Sequence, residues 1–205
     1  KCGYFHFTLN TPFGEIEDCT VGIPGWVNVE NGIAAAAAAL LQGVEIEKVK
    51  SSLATFSGVE RRFDIHVNNP QCAYIDDYAH HPKEISAAIS SIRDIFPGRR
   101  LCAIFQPHLY TRTRDFYLEF AESLSALDEL ILLPIYPARE LPIEGVCSEM
   151  ILEKVTIPNK KIVEKGELLE EIDSRDVDIL ITLGAGDIST FIDPITELIN
   201  KKGGK

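Results

Sequence analysis

Two short, largely apolar runs, residues 71–75 and 101–105, each break directly into a polar, chemically loaded segment. The first segment is Asp76-Asp77-Tyr78-Ala79-His80-His81-Pro82, and the second is Gln106-Pro107-His108-Leu109-Tyr110-Thr111-Arg112-Thr113-Arg114. Apolar runs of this length without alternation suit strands buried on both faces, as in a parallel sheet, and both polar segments lead into helical patterns. Open α/β sheets bind ligands at the carboxyl ends of their strands. One edge of one sheet is therefore nominated as the working surface.

From about residue 61 the pattern predicts strands at 63–67, 71–75, 101–105, 129–134, 161–163 and 177–183, with helices at 82–95, 113–124, 148–155, 166–172 and 188–200. Such alternation is the signature of an α/β fold with a mostly parallel, doubly wound sheet. Pro82 at a first helical position and Pro97-Gly98 after a helix end fit it. Polar clusters follow four of these strands: Asp76 to His81, Gln106 to Arg114, Tyr136 to Arg139, and Gly184-Ala185-Gly186-Asp187. If the strands are parallel, all of these clusters meet at one edge. Before residue 61 the rhythm differs. Alternation over 4–9, the turn signal Asn10-Thr11-Pro12 and a second alternating run over 15–21 predict an antiparallel pair. Helices are expected from Asn28 to before Gly43 and over 45–56, and the alanines 34–39 are expected to pack closely against a sheet. The change of rhythm places a domain boundary near 57–61, giving domains of 1–60 and 61–205, and residues 201–205 are expected to fray.

The net charge of −11 over 205 residues argues against a nucleic-acid or anionic-membrane surface, so phosphate binding has to be local, by single arginines or helix N-termini. Cys2, Cys19, Cys72, Cys102 and Cys147 form no CxxC pair, the pattern of a reduced, cytoplasmic protein. No signal peptide is seen, and the longest apolar stretch, 33–41, is too short to cross a bilayer. The chain opens Lys1-Cys2-Gly3 without Met, from which an upstream portion is expected.

Asp76, Asp77, His80 and His81 are compatible with a hydrolytic metal centre, with a solvated turn holding a capping Asp, or with a loop that handles a nucleotide or substrate. The last is favoured, because further metal ligands are scarce: the remaining histidines are His6, His66 and His108. His108 and Arg112, in a proline-fixed loop at a strand's end, suit a carboxylate or phosphate held by forked hydrogen bonds. Arg114, followed by Asp115, is as well explained by surface charge. Gly184-Ala185-Gly186-Asp187-Ile188-Ser189 follows the last strand and matches the dinucleotide fingerprint only superficially; its plainer meaning is a tight turn at a helix N-terminus. No GxxxxGK followed by Ser or Thr occurs.

These segments, with Pro24-Gly25, Asn28 and Asn31, Gly58-Val59-Glu60-Arg61-Arg62-Phe63-Asp64 and Tyr136-Pro137-Ala138-Arg139-Glu140, together resemble the Mur ligase family over nearly the whole chain. The resemblance implies the end of a central ATP-binding domain up to residue 60, then a Rossmann-like C-terminal domain. It implies ATP-dependent addition of L-alanine to UDP-N-acetylmuramate through an acyl phosphate, in peptidoglycan synthesis, with Mg²⁺ and the main phosphate ligands supplied from upstream. Carried over by position, Asn28, Asn31, Arg62 and Asp77 would bind ATP. Tyr78, His80, His108 and Arg112 would bind substrate, with His80 and Arg112 closest to the chemistry. Val27 stands where many members have His, and Leu109 where some have Arg, which leaves Arg112 as the cationic anchor. Lacking the triphosphate loop, the chain alone is expected to be inactive, and a cut sheet in 1–60 is expected to favour self-association. The rival reading is a noncatalytic nucleotide- or partner-binding α/β module, with a metal hydrolase third.

Overall fold

The computed structural model describes residues 4–203; Cys2 and the last two positions of the expected tail lie outside the described residues. The chain divides into two compact units, one built from residues up to Val59 with Ser90–Gly98, the other from Glu60–Ile89 and Arg99 onward.

In the first unit, β1 (His6–Thr11) and β2 (Gly14–Thr20) form an antiparallel pair, with His6 opposite Thr20 and Thr11 opposite Gly14. The turn falls at Pro12-Phe13, where the Thr11 hydroxyl donates to the Gly14 carbonyl (2.7 Å) and accepts from the Phe13 amide (3.1 Å). Helices α1 (Trp26–Leu41) and α2 (Ile46–Thr55) follow. One stripe of α1, Val29, Gly32, Ala36 and Leu40, is buried at helical spacing, and Ile16, Cys19, Val49 and Leu53 complete the core. A Cβ at Gly32 would lie 2.9 Å from a Val21 methyl, so that helix approach requires glycine. The alanine run is therefore only partly a packing surface. Ala36 is buried and Ala39 half-buried, while Ala34, Ala35, Ala37 and Ala38 face outward because a helix buries one face, not a consecutive run.

The second unit is a six-stranded sheet of order β3-β4-β8-β5-β6-β7, built from β3 (Asp64–Asn68), β4 (Ala73–Asp77), β5 (Leu101–Phe105), β6 (Glu129–Leu132), β7 (Asn159–Ile162) and β8 (Ile179–Leu183). Only β3 runs antiparallel. Every residue of β5 and β8 is buried, which is why their sequences show no alternation. The helices are α3 (Pro82–Ile95), whose residues from Ser90 onward are grouped with the first unit, α4 (Tyr110–Leu124), α5 (Glu149–Lys154), α6 (Leu168–Asp173) and α7 (Ile192–Gly203). Leu168 and Ile172 of α6 and Ile195 and Ile199 of α7 share a core cluster with Ile104, Ile131 and Leu180 of the sheet.

Two expected boundaries move for visible reasons. The Asn69 side chain accepts the amides of Gln71 (3.0 Å) and Cys72 (2.8 Å), folding that segment into the β3–β4 turn and shifting the strand to Ala73–Asp77. The expected fray at 201–205 is also corrected for its described part. Lys202 lies in α7, and its ammonium donates to the carbonyls of Ile172 (2.9 Å), Asp173 and Arg175 (2.8 Å), closing the end of α6.

Asp76, fully buried, binds the sheet's carboxyl edge together. One oxygen accepts from the Thr182 hydroxyl (2.6 Å) and the other pairs with Arg61 Nε (3.0 Å), while Arg61 Nη2 donates to the Gly184 carbonyl (2.6 Å). Thr182 is thereby left to accept from Tyr74 Oη (3.1 Å), whose phenol burial keeps protonated. Asp76→Ala should cost about 3–5 kcal/mol, because it leaves a poorly solvated guanidinium unpaired. Urea unfolding of Asp76→Ala, Arg61→Ala and the double variant should show a strongly non-additive cycle.

Candidate functional site

β4, β8, β5 and β6 are neighbours running in one direction, so the loops after them share one rim. At β4 the chain leaves the strand under tight control. Both Asp77 oxygens accept backbone amides, from Phe63 (2.8 Å) and Ala79 (2.7 Å). Burial raises the Asp77 pKa, with those two bonds pulling in the opposite direction. Arg61 and Phe63 adopt left-handed backbone (φ 60° and 51°), and the Tyr78 amide donates to the Arg61 carbonyl (2.7 Å). The Arg61 and Arg62 guanidiniums lie 5.1 and 5.4 Å from the Tyr78 ring centre. Arg62 is exposed.

His80 stands edge-on to Tyr78 at 5.1 Å, and its Nδ1 lies 2.9 Å from the Tyr78 carbonyl, which can only accept. The proton therefore sits on Nδ1, and a neutral His80 presents the Nε2 lone pair. Glu84, in the first turn of α3, accepts the amides of His80 (2.9 Å) and His81 (3.1 Å). Burial pushes its carboxyl up, but these bonds and His80 outweigh it and the net shift is downward.

At β5, buried Gln106 joins two loops: its Nε2 donates to Asp187 (2.7 Å) and its Oε1 accepts the Ile188 amide (2.9 Å). Asp187 also pairs with Lys165 (2.7 Å), whose ammonium lies 5.8 Å from the Tyr136 ring centre. A Cβ at Gly186 would collide with Gln106 Oε1 and lie 2.7 Å from Tyr136 Cβ, so the glycine serves close loop approach. The loops after β5 and β6 are zipped by Tyr136 N to Pro107 O (2.8 Å) and Leu109 N to Tyr136 O (2.9 Å). His108 stacks on Tyr136 at 5.7 Å and lies 6.1 Å from His80. Arg112 Nη1 donates to His108 Nδ1 (3.3 Å). Burial, then the charges of Arg112 and His80, hold His108 below its ordinary value of 6.5.

Tyr78, His80, His108 and Arg112 are thus gathered at one rim, with Arg62 and Asp77 beside Tyr78. Asn28 and Asn31 lie on α1 of the other unit, where the Asn28 amide donates to the Pro24 carbonyl (2.6 Å). Arg114 pairs with Asp115 (2.7 Å) on the surface. The metal constellation does not assemble. Asp76 is locked to Arg61 and Thr182, and His81 packs against Phe116 at 5.0 Å. Among the described residues no three His, Cys, Asp or Glu side chains are placed to hold a metal ion. Arg61, Gln106, Lys165 and Glu140 carry site geometry without having been assigned roles from sequence. Gln106 had a signal, as a polar residue ending a wholly apolar strand; Lys165 had none.

A parallel sheet with this rim places the chain in a known class: residues 61–188, well over half of it, match the family described as Mur ligase, glutamate ligase domain, and the chain belongs to the Mur ligase family. Its relatives narrow the comparison. The UDP-N-acetylmuramate–L-alanine ligase of Parabacteroides distasonis is 49% identical over 200 residues, which are 98% of this chain and 43% of that protein. The ligase of the same name from Flavobacterium johnsoniae is 46% identical, over 97% of this chain and 44% of its own length. The crystal structure of UDP-N-acetylmuramate-alanine ligase from Thermotoga maritima superposes with a TM-score of 0.73 at 28% identity, over 91% of this chain and 40% of that one. Folylpolyglutamate synthase from the same organism shares the fold, with a TM-score of 0.64 at 18% identity over 92% of this chain and 43% of that one. The chain spans less than half the length of these relatives.

Arg112→Gln removes one of the charges that depress His108, so the imidazole should titrate at higher pH, closer to 6.5. Since a depressed histidine is destabilising as pH falls from 6.5 through its folded value, acid-side stability should also improve slightly. A histidine-resolved NMR titration checks the direction; an unmoved or lower His108 pKa would contradict the assigned pairing.

Proposed function

We propose that this chain is the C-terminal part of an ATP-dependent ligase that joins L-alanine to UDP-N-acetylmuramate in cytoplasmic peptidoglycan synthesis. In this reading, residues 1–60 end a central ATP-binding domain and 61–205 form the Rossmann-like C-terminal domain. The observation that carries it is the Arg112–His108–His80 cluster at the sheet rim, in a chain nearly half identical to alanine-adding ligases over almost its whole length.

Arg112 would orient alanine through its carboxylate, the planar fork matching two oxygens. His108, kept neutral, adds no competing positive charge and accepts from the guanidinium, holding it in place. His80, with its ring 6.1 Å from that of His108 and Nδ1 engaged by the Tyr78 carbonyl, is a candidate proton acceptor through Nε2 for alanine's ammonium, which must lose a proton before its nitrogen attacks an acyl carbon. On the nucleotide side, exposed Arg62 fits a phosphate. Asp77 has one amide on each oxygen and keeps lone pairs for a sugar hydroxyl. Magnesium, when bound, would neutralise phosphate charge; among the described residues no three His, Cys, Asp or Glu side chains are grouped to hold it. The exposed apolar Phe13, Trp26 and Leu41 of the first unit favour self-association of the isolated chain.

The chain alone should form no UDP-N-acetylmuramoyl-L-alanine, because no GxxxxGK loop is present to hold the transferred phosphoryl group. Product from the purified 205-residue chain would refute this, and would also speak against the noncatalytic-module alternative. In the full-length ligase, Arg112→Lys should lower kcat/KM for alanine roughly ten- to hundredfold while sparing acyl-phosphate formation, on the scale of one lost charged hydrogen bond. Steady-state kinetics with alanine varied, alongside rapid-quench detection of acyl phosphate, would separate the two steps; an unchanged alanine dependence would remove Arg112 from the site.

A further inference from the structure

Helix α4 carries Arg112 in its first turn, yet it begins without a cap of its own. Its N-cap residue is Leu109, which offers no side-chain acceptor and sits at φ 73°, a conformation costly for any residue with a Cβ. The first amides of a helix need acceptors from elsewhere. They come from 29 residues further along the chain. Glu140 Oε2 accepts the Thr111 amide (3.0 Å) and Glu140 Oε1 accepts the Thr111 hydroxyl (2.5 Å). The Glu140 loop is itself fixed to the loop ahead of α4 by the two backbone bonds between Pro107, Leu109 and Tyr136, and turns back through Ala138 at φ 51°.

We infer that Glu140 is a positioning residue for amino-acid binding: by capping α4 from another loop it sets where the first turn starts, and so where the Arg112 guanidinium lies against His108. This rests on the alanine-ligase reading. A carboxylate at a helix N-terminus is also favoured by the helix dipole. Thr111's hydroxyl and amide hold the Glu140 carboxyl below its ordinary range, so it stays ionised at neutral pH.

The test uses the full-length ligase, with Glu140→Ala and Glu140→Gln compared with wild type. Alanine-dependent ADP release by wild type comes first; its absence would overturn the alanine-ligase reading rather than this inference. Given that activity, Glu140→Ala should raise KM for alanine roughly three- to thirtyfold, the scale of a lost helix cap, with KM for ATP and for UDP-N-acetylmuramate within about twofold of wild type. Glu140→Gln, which keeps one acceptor for Thr111, should recover much of the loss. The Arg112→Lys, Glu140→Ala double variant should fall short of the product of the single effects. Hydrogen exchange should speed up at the start of α4 and not in β5, a readout independent of turnover. If Glu140→Ala misfolds, Glu140→Gln and its exchange pattern decide. An alanine KM within twofold of wild type in the folded variants, equal losses for all substrates, or unchanged exchange at Tyr110 and Thr111 would each overturn the assignment.

Discussion

A single buried carboxylate organises the rim at the carboxyl ends of the parallel strands. Asp76 lies at the end of β4 with no exposure, bonded to Thr182 of the neighbouring β8 and to Arg61 of the segment entering the domain, and Arg61 reaches on to Gly184 in the loop after β8. A charge so placed is tolerated only when its lone pairs are filled. The pairing thus ties two strands and two loops together. Asp77, on the opposite face of the pleat, fastens Phe63 and Ala79. Adjacent aspartates divide the work between the inside of the sheet and its rim.

Upon this frame the site is built by loops holding loops. Gln106 ties the β5 exit to the turn before α7, Tyr136 is bonded on both sides to the loop opening α4, and Glu84 fixes the start of α3. Most of these partners are far apart in sequence. Rim geometry therefore follows from sheet order, which makes β4, β8, β5 and β6 neighbours although β8 comes last in the chain.

What could be seen in advance was what local pattern encodes. Residues 101–105 form β5 with the expected bounds, and residues 82–95 form α3, since an unbroken apolar run and a Pro-started helical stripe are local signals. The meeting of the polar clusters at one edge is likewise a consequence of parallel strands, which the alternation of strands and helices encodes. Other features were hidden because they depend on distant partners. The start of α4 at Tyr110 rather than 113 depends on Glu140, and the choice of Arg61 over exposed Arg62 as the half-buried arginine depends on Asp76. The shift of β4 by two residues depends on an Asn69 side chain that propensity alone does not place.

At the opposite end of the strands, two helices of six residues each, too short to persist alone, have their last carbonyls taken by lysines of later segments. Lys160 of β7 serves Leu152 and Val155 after α5, and Lys202 of α7 serves the end of α6. These ammonium groups act as rivets, and each is a chemical handle. Carbamylation or acetylation would strip a helix end of these donors. Loss of the Lys202 donors would loosen the α6–α7 layer, whereas loss of the Lys160 donors would loosen α5, which packs against α4, the helix that carries Arg112.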